Sequence, residues 1–274
     1  MAPNNGRLLI FGLGYAASAV AARLEGWQVD ATGSAGNLDF ADRDGVEAAI
    51  DAATHILSSV PPGENDPVLA AYGDHLGGKW LGYLSSTGVY GDTGGAWVDE
   101  SAPIRGRREA RNSADAGWLA LGARVFRLPG IYGPGRSPLD RIAAGTAHRT
   151  AQAGQVFSRI HVDDLARGVV AGFDAPPGPY NLADDWPAPQ DDVVEFASTL
   201  LGIDPPPVVP LGSLSPAARA FHAENRRVAN GKAKRVLGWR PSYADYRLGL
   251  RALSAMTSPT AASAAPATAS PDQR

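Results

Sequence analysis

Apolar and polar positions alternate between two periods along most of the chain. Leu8-Leu9-Ile10-Phe11 is a continuous apolar run, the mark of a strand buried on both faces. Ala17, Val20, Ala21 and Leu24 follow at helical spacing, and Gly26 closes that helix. Trp27 to Thr32 reads as a second strand, with a third short strand ahead of Asp39 and Phe40. Asp44 to Ala53 predicts a short helix carrying Val46, Ala49 and Ile50, and His55 to Val60 another buried strand. Pro61-Pro62-Gly63 stops that strand. Asp66-Pro67, a capping residue followed by proline at the first helical position, then opens a helix from Val68 to Leu76. Trp80 to Ser86 and Arg124 to Leu128 predict two further strands. Strands alternating with helices over short connections predict an α/β fold built on a doubly wound parallel sheet.

The pattern loosens after about residue 170, with joints at Pro176-Pro177 and Pro205-Pro206-Pro207. This predicts a main domain over residues 6–170 and a small mixed C-terminal substrate lobe over 171–251, interleaved with the first. Residues 257–271 are all Ala, Ser, Thr or Pro, which bury too little to offset their ordering entropy. Residues 252–274 are therefore expected to form a disordered tail.

Composition narrows the possible functions. The 274 residues carry 25 Lys+Arg against 28 Asp+Glu, a formal net charge of -3, which speaks against nucleic acid or an anionic membrane as partner. With no cysteine there is no disulfide, thiolate metal site or Cys nucleophile. The five histidines lack ligand spacing, so no metal is expected. No apolar run approaches the length of a membrane span, and the N-terminal residues lack a signal-peptide pattern. The expectation is a cytoplasmic protein, monomer or homodimer, that acts on a small molecule.

The sharpest local feature is Gly12-Leu13-Gly14-Tyr15-Ala16-Ala17, between the first strand and the first helix. Glycines there allow a tight turn and let the backbone approach a pyrophosphate resting on the helix start, so these six residues are expected to bind a dinucleotide. An acid at the end of the second strand would select NAD, but the chain reads Thr32-Gly33-Ser34. These small residues leave room for a 2′-phosphate, which tips the choice between NAD and NADP toward NADP. Asp39 and Phe40 are either adenine contacts or a plain strand end and helix lead-in. Val60, Pro61 and Pro62, after the His55 strand, complete this part of the expected cofactor site.

Three more motifs follow in order: Leu84-Ser85-Ser86-Thr87-Gly88-Val89-Tyr90-Gly91-Asp92, Arg127-Leu128-Pro129-Gly130-Ile131-Tyr132-Gly133-Pro134-Gly135 and Ile160-His161-Val162-Asp163-Asp164-Leu165-Ala166. Together with the glycine turn, and with Tyr180-Asn181-Leu182 and Leu237-Gly238-Trp239-Arg240-Pro241 beyond, the chain resembles the NAD-dependent epimerase/dehydratase family of extended short-chain dehydrogenase/reductases. The resemblance spans about residues 7 to 250 and implies a Rossmann domain and chemistry on nucleotide sugars. It also implies a catalytic Ser/Thr with a YxxxK pair. Ser86, with Thr87 beside it, fits the first role.

The pair is missing. The best register puts Arg107 and Arg111 where Tyr and Lys belong, and a guanidinium cannot shuttle a proton as a phenol does. Both arginines share one helix face, where they bind an anionic substrate or cofactor phosphate, or else form a solvated basic face. The resemblance further implies nicotinamide contacts at Pro129 and Gly130, and a structural role for His161 and Asp164. Arg226 and Arg227 stand near the position of a family diphosphate-binding arginine. Tyr90 and Tyr132 are candidates for packing or substrate contact. Two functions are open on this basis: an NAD(P)-dependent oxidoreductase, epimerase or dehydratase acting on a small carbohydrate or nucleotide-sugar-like substrate, or a non-catalytic dinucleotide-binding sensor or scaffold.

Overall fold

The first apolar run becomes an inner strand with a core on each side. In the computed structural model, which describes residues 6–257, β1 (Arg7–Phe11) sends Leu8 and Ile10 into one core and Leu9 and Phe11 into the other. Then come α1 (Tyr15–Ala21), β2 (Gln28–Ala31), α2 (Arg43–Ala52), β3 (His55–Ser58), α3 (Pro67–Tyr72) and β4 (Trp80–Ser86). Asp42 and Asp66 start their helices as expected of N-caps: Asp42 accepts from the Gly45 amide, Asp66 from the Val68 and Leu69 amides. A short β5 (Trp97–Val98) precedes α4 (Glu109–Ala120), β6 (Arg124–Leu128) and β7 (Gly130–Tyr132). After α5 (Pro138–Ala143), β8 (Arg159–His161) and α6 (Val162–Ala171), the chain re-enters the main sheet as β9 (Gly178–Asn181).

The six-stranded sheet has the order β2-β1-β3-β4-β6-β9, and every pairing is parallel. Its C-terminal edge collects the glycine turn after β1, Ser86 at the end of β4 and Pro129 after β6. That edge is where doubly wound sheets bind ligands. The rest of the chain supplies α7 (Gln190–Leu201), α8 (Pro216–His222), β10 (Arg227–Val228), α9 (Gly231–Val236) and α10 (Tyr246–Thr257). Leu139, Ile142, Val193, Val194, Leu250 and Leu253 close a separate small core between α5, α7 and α10.

Three expectations change. The third short strand is only a bridge between Thr32 and Leu38, because the backbone turns at Gly33 (φ +103°) to wrap the glycine loop. The helix expected from Val68 to Leu76 ends at Tyr72 and tightens into a 3₁₀ turn over Gly73–His75. The disordered tail expected from residue 252 does not start there: α10 runs to Thr257, since Leu253 (4% exposed) anchors it in the small core. Residues 258–274 lie outside the described residues. Among the latter, no helix is long and apolar enough to cross a membrane, and no group of His, Asp or Glu could hold a metal ion.

Candidate active site

The glycine turn is held by its neighbours before any ligand arrives. Thr32, almost fully buried, accepts the Gly12 amide on its hydroxyl (3.1 Å) and the Leu13 amide on its carbonyl (2.8 Å). Thr32 therefore positions the loop and does not present its side chain to a ligand. Gly12 has φ +84°, and a Cβ there would come within 2.9 Å of Val60, so the turn requires glycine. At Gly14 a Cβ would meet nothing within 4 Å, and no side chain caps α1. The loop thus leaves open space beside unsatisfied first-turn amides, which fits a pyrophosphate.

A cavity of about 1230 Å³ borders this loop. Gly14, Tyr15, Ala16, Pro61, Ser86, Thr87, Pro129 and Gly130 all line it, so the ends of β1, β3, β4 and β6 converge on one space. Ser86 accepts the Gly88 amide (3.1 Å), which orients its hydroxyl and leaves its proton to donate. Gly12, Leu13 and Ala17 support the loop from behind. Gly33, Ser34, Asp39, Phe40, Val60 and Pro62 stand outside the lining, on the side toward β2 and α3. Gly33 and Ser34 are exposed there, and Asp39 accepts the Ala41 amide.

Arg107, Arg111, Tyr132 and Arg226 also face the cavity, whereas Tyr90 and Arg227 do not. Arg227 donates to the Gly95 carbonyl, away from the site. Tyr90 is locked in a buried polar chain: its hydroxyl donates to Asn181 (2.7 Å) and accepts from Arg127 (3.1 Å). Arg127 in turn grips Asp115 through two hydrogen bonds (2.7 and 3.1 Å), and Ser85 donates to the same carboxylate (2.6 Å). This chain pins α4 to the sheet; it is structural, and so is Tyr90. The ring of Tyr132 lines the cavity, but its buried hydroxyl points at Gly249 of α10 and burial pushes its pKa up. It contributes packing to the wall. His161 caps α6 by accepting the Asp163 amide, and Asp164 accepts the Ser242 and Tyr243 amides, tying α6 to the segment before α10.

The cavity wall is strongly cationic. Seven arginines line it (107, 108, 111, 136, 141, 159 and 226) against two acids, Asp140 and Glu224. Asp140 is engaged in the Ser137 capping box of α5. Glu224 bridges Arg107 (2.7 Å) and Arg226 (2.6 Å); burial raises its pKa, but the two guanidinium hydrogen bonds outweigh this and hold it below the ordinary value. Arg107 also donates to the Ala220 carbonyl, so it braces the α8 segment across the cavity mouth. Arg111 is half-buried, and among the described residues it makes no ion pair.

Sequence reasoning missed Glu224, Arg108, Arg136, Arg141, Arg159 and the Asp115–Arg127 pair. One signal was available for the pair: Asp115 sits beside Ala114 and Trp118 on the apolar stripe of α4, where an acid needs a buried partner. Nothing local marks Glu224, which reaches its partners only through the fold.

The chain shares its fold with solved structures of NAD-dependent epimerases and dehydratases. A dTDP-glucose 4,6-dehydratase from Bacillus anthracis str. Ames in complex with NAD superposes with a TM-score of 0.70 at 19% identity, over 91% of this chain and 95% of that one. The human epimerase family protein SDR39U1 (isoform 2) with NADPH gives 0.71 at 17% identity, over 90% and 99%. More specifically, the chain belongs to one family with a conserved protein of unknown function from Silicibacter pomeroyi DSS. The two are 40% identical, with a TM-score of 0.81, over 92% of this chain and 99% of that one. By sequence it also resembles a 3-diazoavenalumate denitrifying reductase from a Streptomyces species, 28% identical over 181 residues. That match covers 56% of this chain and 58% of the reductase, so the chain spans little more than half of that relative. No protein-family model matches the chain.

Proposed function

We propose that the protein binds a nicotinamide dinucleotide on the Gly12–Ala17 turn and is an oxidoreductase, epimerase or dehydratase acting on a small molecule in the adjoining cavity. The observation that carries this reading is that Gly14, Ser86 and Gly130, from three different strand ends, border one space. When bound, the nicotinamide supplies hydride chemistry. Ser86, with Thr87 beside it, donates a hydrogen bond to the substrate oxygen and stabilises charge that develops there. Pro129 and Gly130 would hold the nicotinamide end, and Pro61 lines the same cavity. Position 107 offers guanidinium donors in place of a phenol relay. This favours chemistry in which the hydride step needs no phenol relay, and the reductase among the relatives supports that class.

On the adenosine side, the exposed and uncharged Gly33 and Ser34 accommodate a 2′-phosphate, which supports NADP over NAD; Asp39 and Phe40 flank this end. The finer substrate reading is a small carbohydrate or nucleotide-sugar-like molecule, held by Arg107, Arg111 and Arg226 and by the ring of Tyr132. The absence of Tyr and Lys at positions 107 and 111 favours a second reading, a non-catalytic dinucleotide sensor. Calorimetric titration with NAD⁺, NADP⁺, NADH and NADPH tests both, since failure of all four removes each of them. Where binding occurs, following the nicotinamide absorbance against sugar-nucleotide and carbonyl substrates separates enzyme from sensor.

A further inference from the structure

Several charged groups around this cavity find their partners within the chain. Asp115 is taken by Arg127 and Ser85, one turn further along α4. Asp66 is taken by Trp118 and two backbone amides. Glu224 is shared by Arg107 and Arg226. Arg111 stands half-buried on the same wall with no ion pair among the described residues, and another arginine, Arg108 at the N-cap of α4, stands three residues back. Burial lowers the pKa of its guanidinium, Tyr83 opposes this, and Arg108 lowers it further. A desolvated cation next to a like charge is costly when empty and gains most when an oxyanion arrives.

The position of Arg111 says whose anion that is. It rises from α4, which packs on β4 and β6, so it shares the cavity with Ser86 and Pro129. The adenosine side of the site lies at Gly33 and Ser34 after β2, three strand spacings from β4, or about 14 Å. A 2′-phosphate at that end is out of reach of Arg111.

We propose that Arg111, with Arg108 beside it, is the anion subsite for the substrate: the molecule that reacts beside Ser86 carries a carboxylate or phosphate that docks on this guanidinium. The assignment rests on the reading of the cavity as a dinucleotide-dependent site. It defines the substrate class as acidic small molecules and places their charged group on the β4–β6 side of the cavity. Glu224 cannot neutralise the subsite because both of its oxygens are engaged.

The test uses the full chain and two probes, inorganic phosphate and malonate, titrated by calorimetry with and without saturating NADP⁺. We expect at least one to bind once per chain, and the tighter of the two tells phosphate from carboxylate. Arg111→Gln weakens that binding by at least about tenfold, while dinucleotide affinity stays within about twofold. Arg111→Lys, which keeps the charge but loses the planar fork, gives an intermediate loss and guards against a folding artefact of the first variant. The proposal is overturned if neither probe saturates, if Arg111→Gln binds the probe as wild type does, or if that variant instead loses dinucleotide affinity. Failure of every dinucleotide to bind while the probe still depends on Arg111 removes the reading of function and leaves the anion site, so the two failures are distinct.

Discussion

Arg127 stands on β6 and Arg111 on α4, the helix packed against it, and the protein treats them in opposite ways. Arg127, 2% exposed, emerges from β6 into a carboxylate, a serine-bound network and the Tyr90 hydroxyl, so its donors are met inside the chain. Arg111, from the helix that covers that strand, reaches the cavity and makes no ion pair among the described residues. The difference teaches where stability ends and function starts: a charge whose partner is internal holds α4 to the sheet, and one left without a partner waits for a ligand.

The largest effect is expected where the internal pairing is broken. Asp115→Asn leaves the Arg127 guanidinium buried without its counter-charge, and a loss of about 3–5 kcal/mol is expected in urea unfolding. A loss under about 1 kcal/mol would mean the pair is not isolated from water as drawn. Next comes the cavity itself. Ser86→Ala is expected to lower turnover by about 10²-fold once a substrate is in hand, with the melting temperature nearly unchanged. Unchanged turnover would remove Ser86 from the chemistry.

A third case lies between the paired and the unpaired. His55 is packed among Trp27, Trp80 and Phe173, and burial, reinforced by Arg124 and opposed by Asp174, lowers its pKa from 6.5 to about 4. The folded state therefore binds fewer protons than the unfolded state between pH 6.5 and 4. Stability contributed by neutral His55 is complete above pH 6.5 and is lost as pH falls toward 4. His55→Phe should flatten that limb in a pH series of chemical unfolding; an unchanged limb would place the titration elsewhere. The smallest effect is at Arg111. Its removal in Arg111→Gln severs no internal ion pair, so thermal unfolding should show a change under about 1 kcal/mol in either direction. A loss as large as that of Asp115→Asn would erase the contrast between the two arginines.

Much of this was legible before the structure, for reasons that are local. Continuous apolar runs at residues 8–11 and 55–60 encode strands with a core on each face, and the glycine turn is written in six consecutive residues. Asp66-Pro67 encodes a helix start in two. What escaped the sequence is what depends on distance. Thr32 looked like a ligand contact because it ends a strand, but its hydroxyl is spent on the Gly12 amide twenty residues away. Tyr90 sits in a loop at a strand end like a binding residue, and only β6 and β9 reveal that its hydroxyl is enclosed. Glu224 meets Arg107 across 117 positions, and no window of sequence brings them together.

The return of the chain to the sheet as β9 has a practical consequence. The segment between β6 and β9 carries Gly130, Arg136, Arg141 and Arg159, and its far end is hydrogen-bonded beside its near end, Arg127 against Asn181. It is a loop clipped at both ends and cannot be detached as a module. A fragment stopped at residue 171 would bare the whole edge of β6 to any passing strand, so it should precipitate. Redesign of the cavity wall will have to proceed by replacing residues within that clip, because exchanging it for a separate lobe would open the sheet.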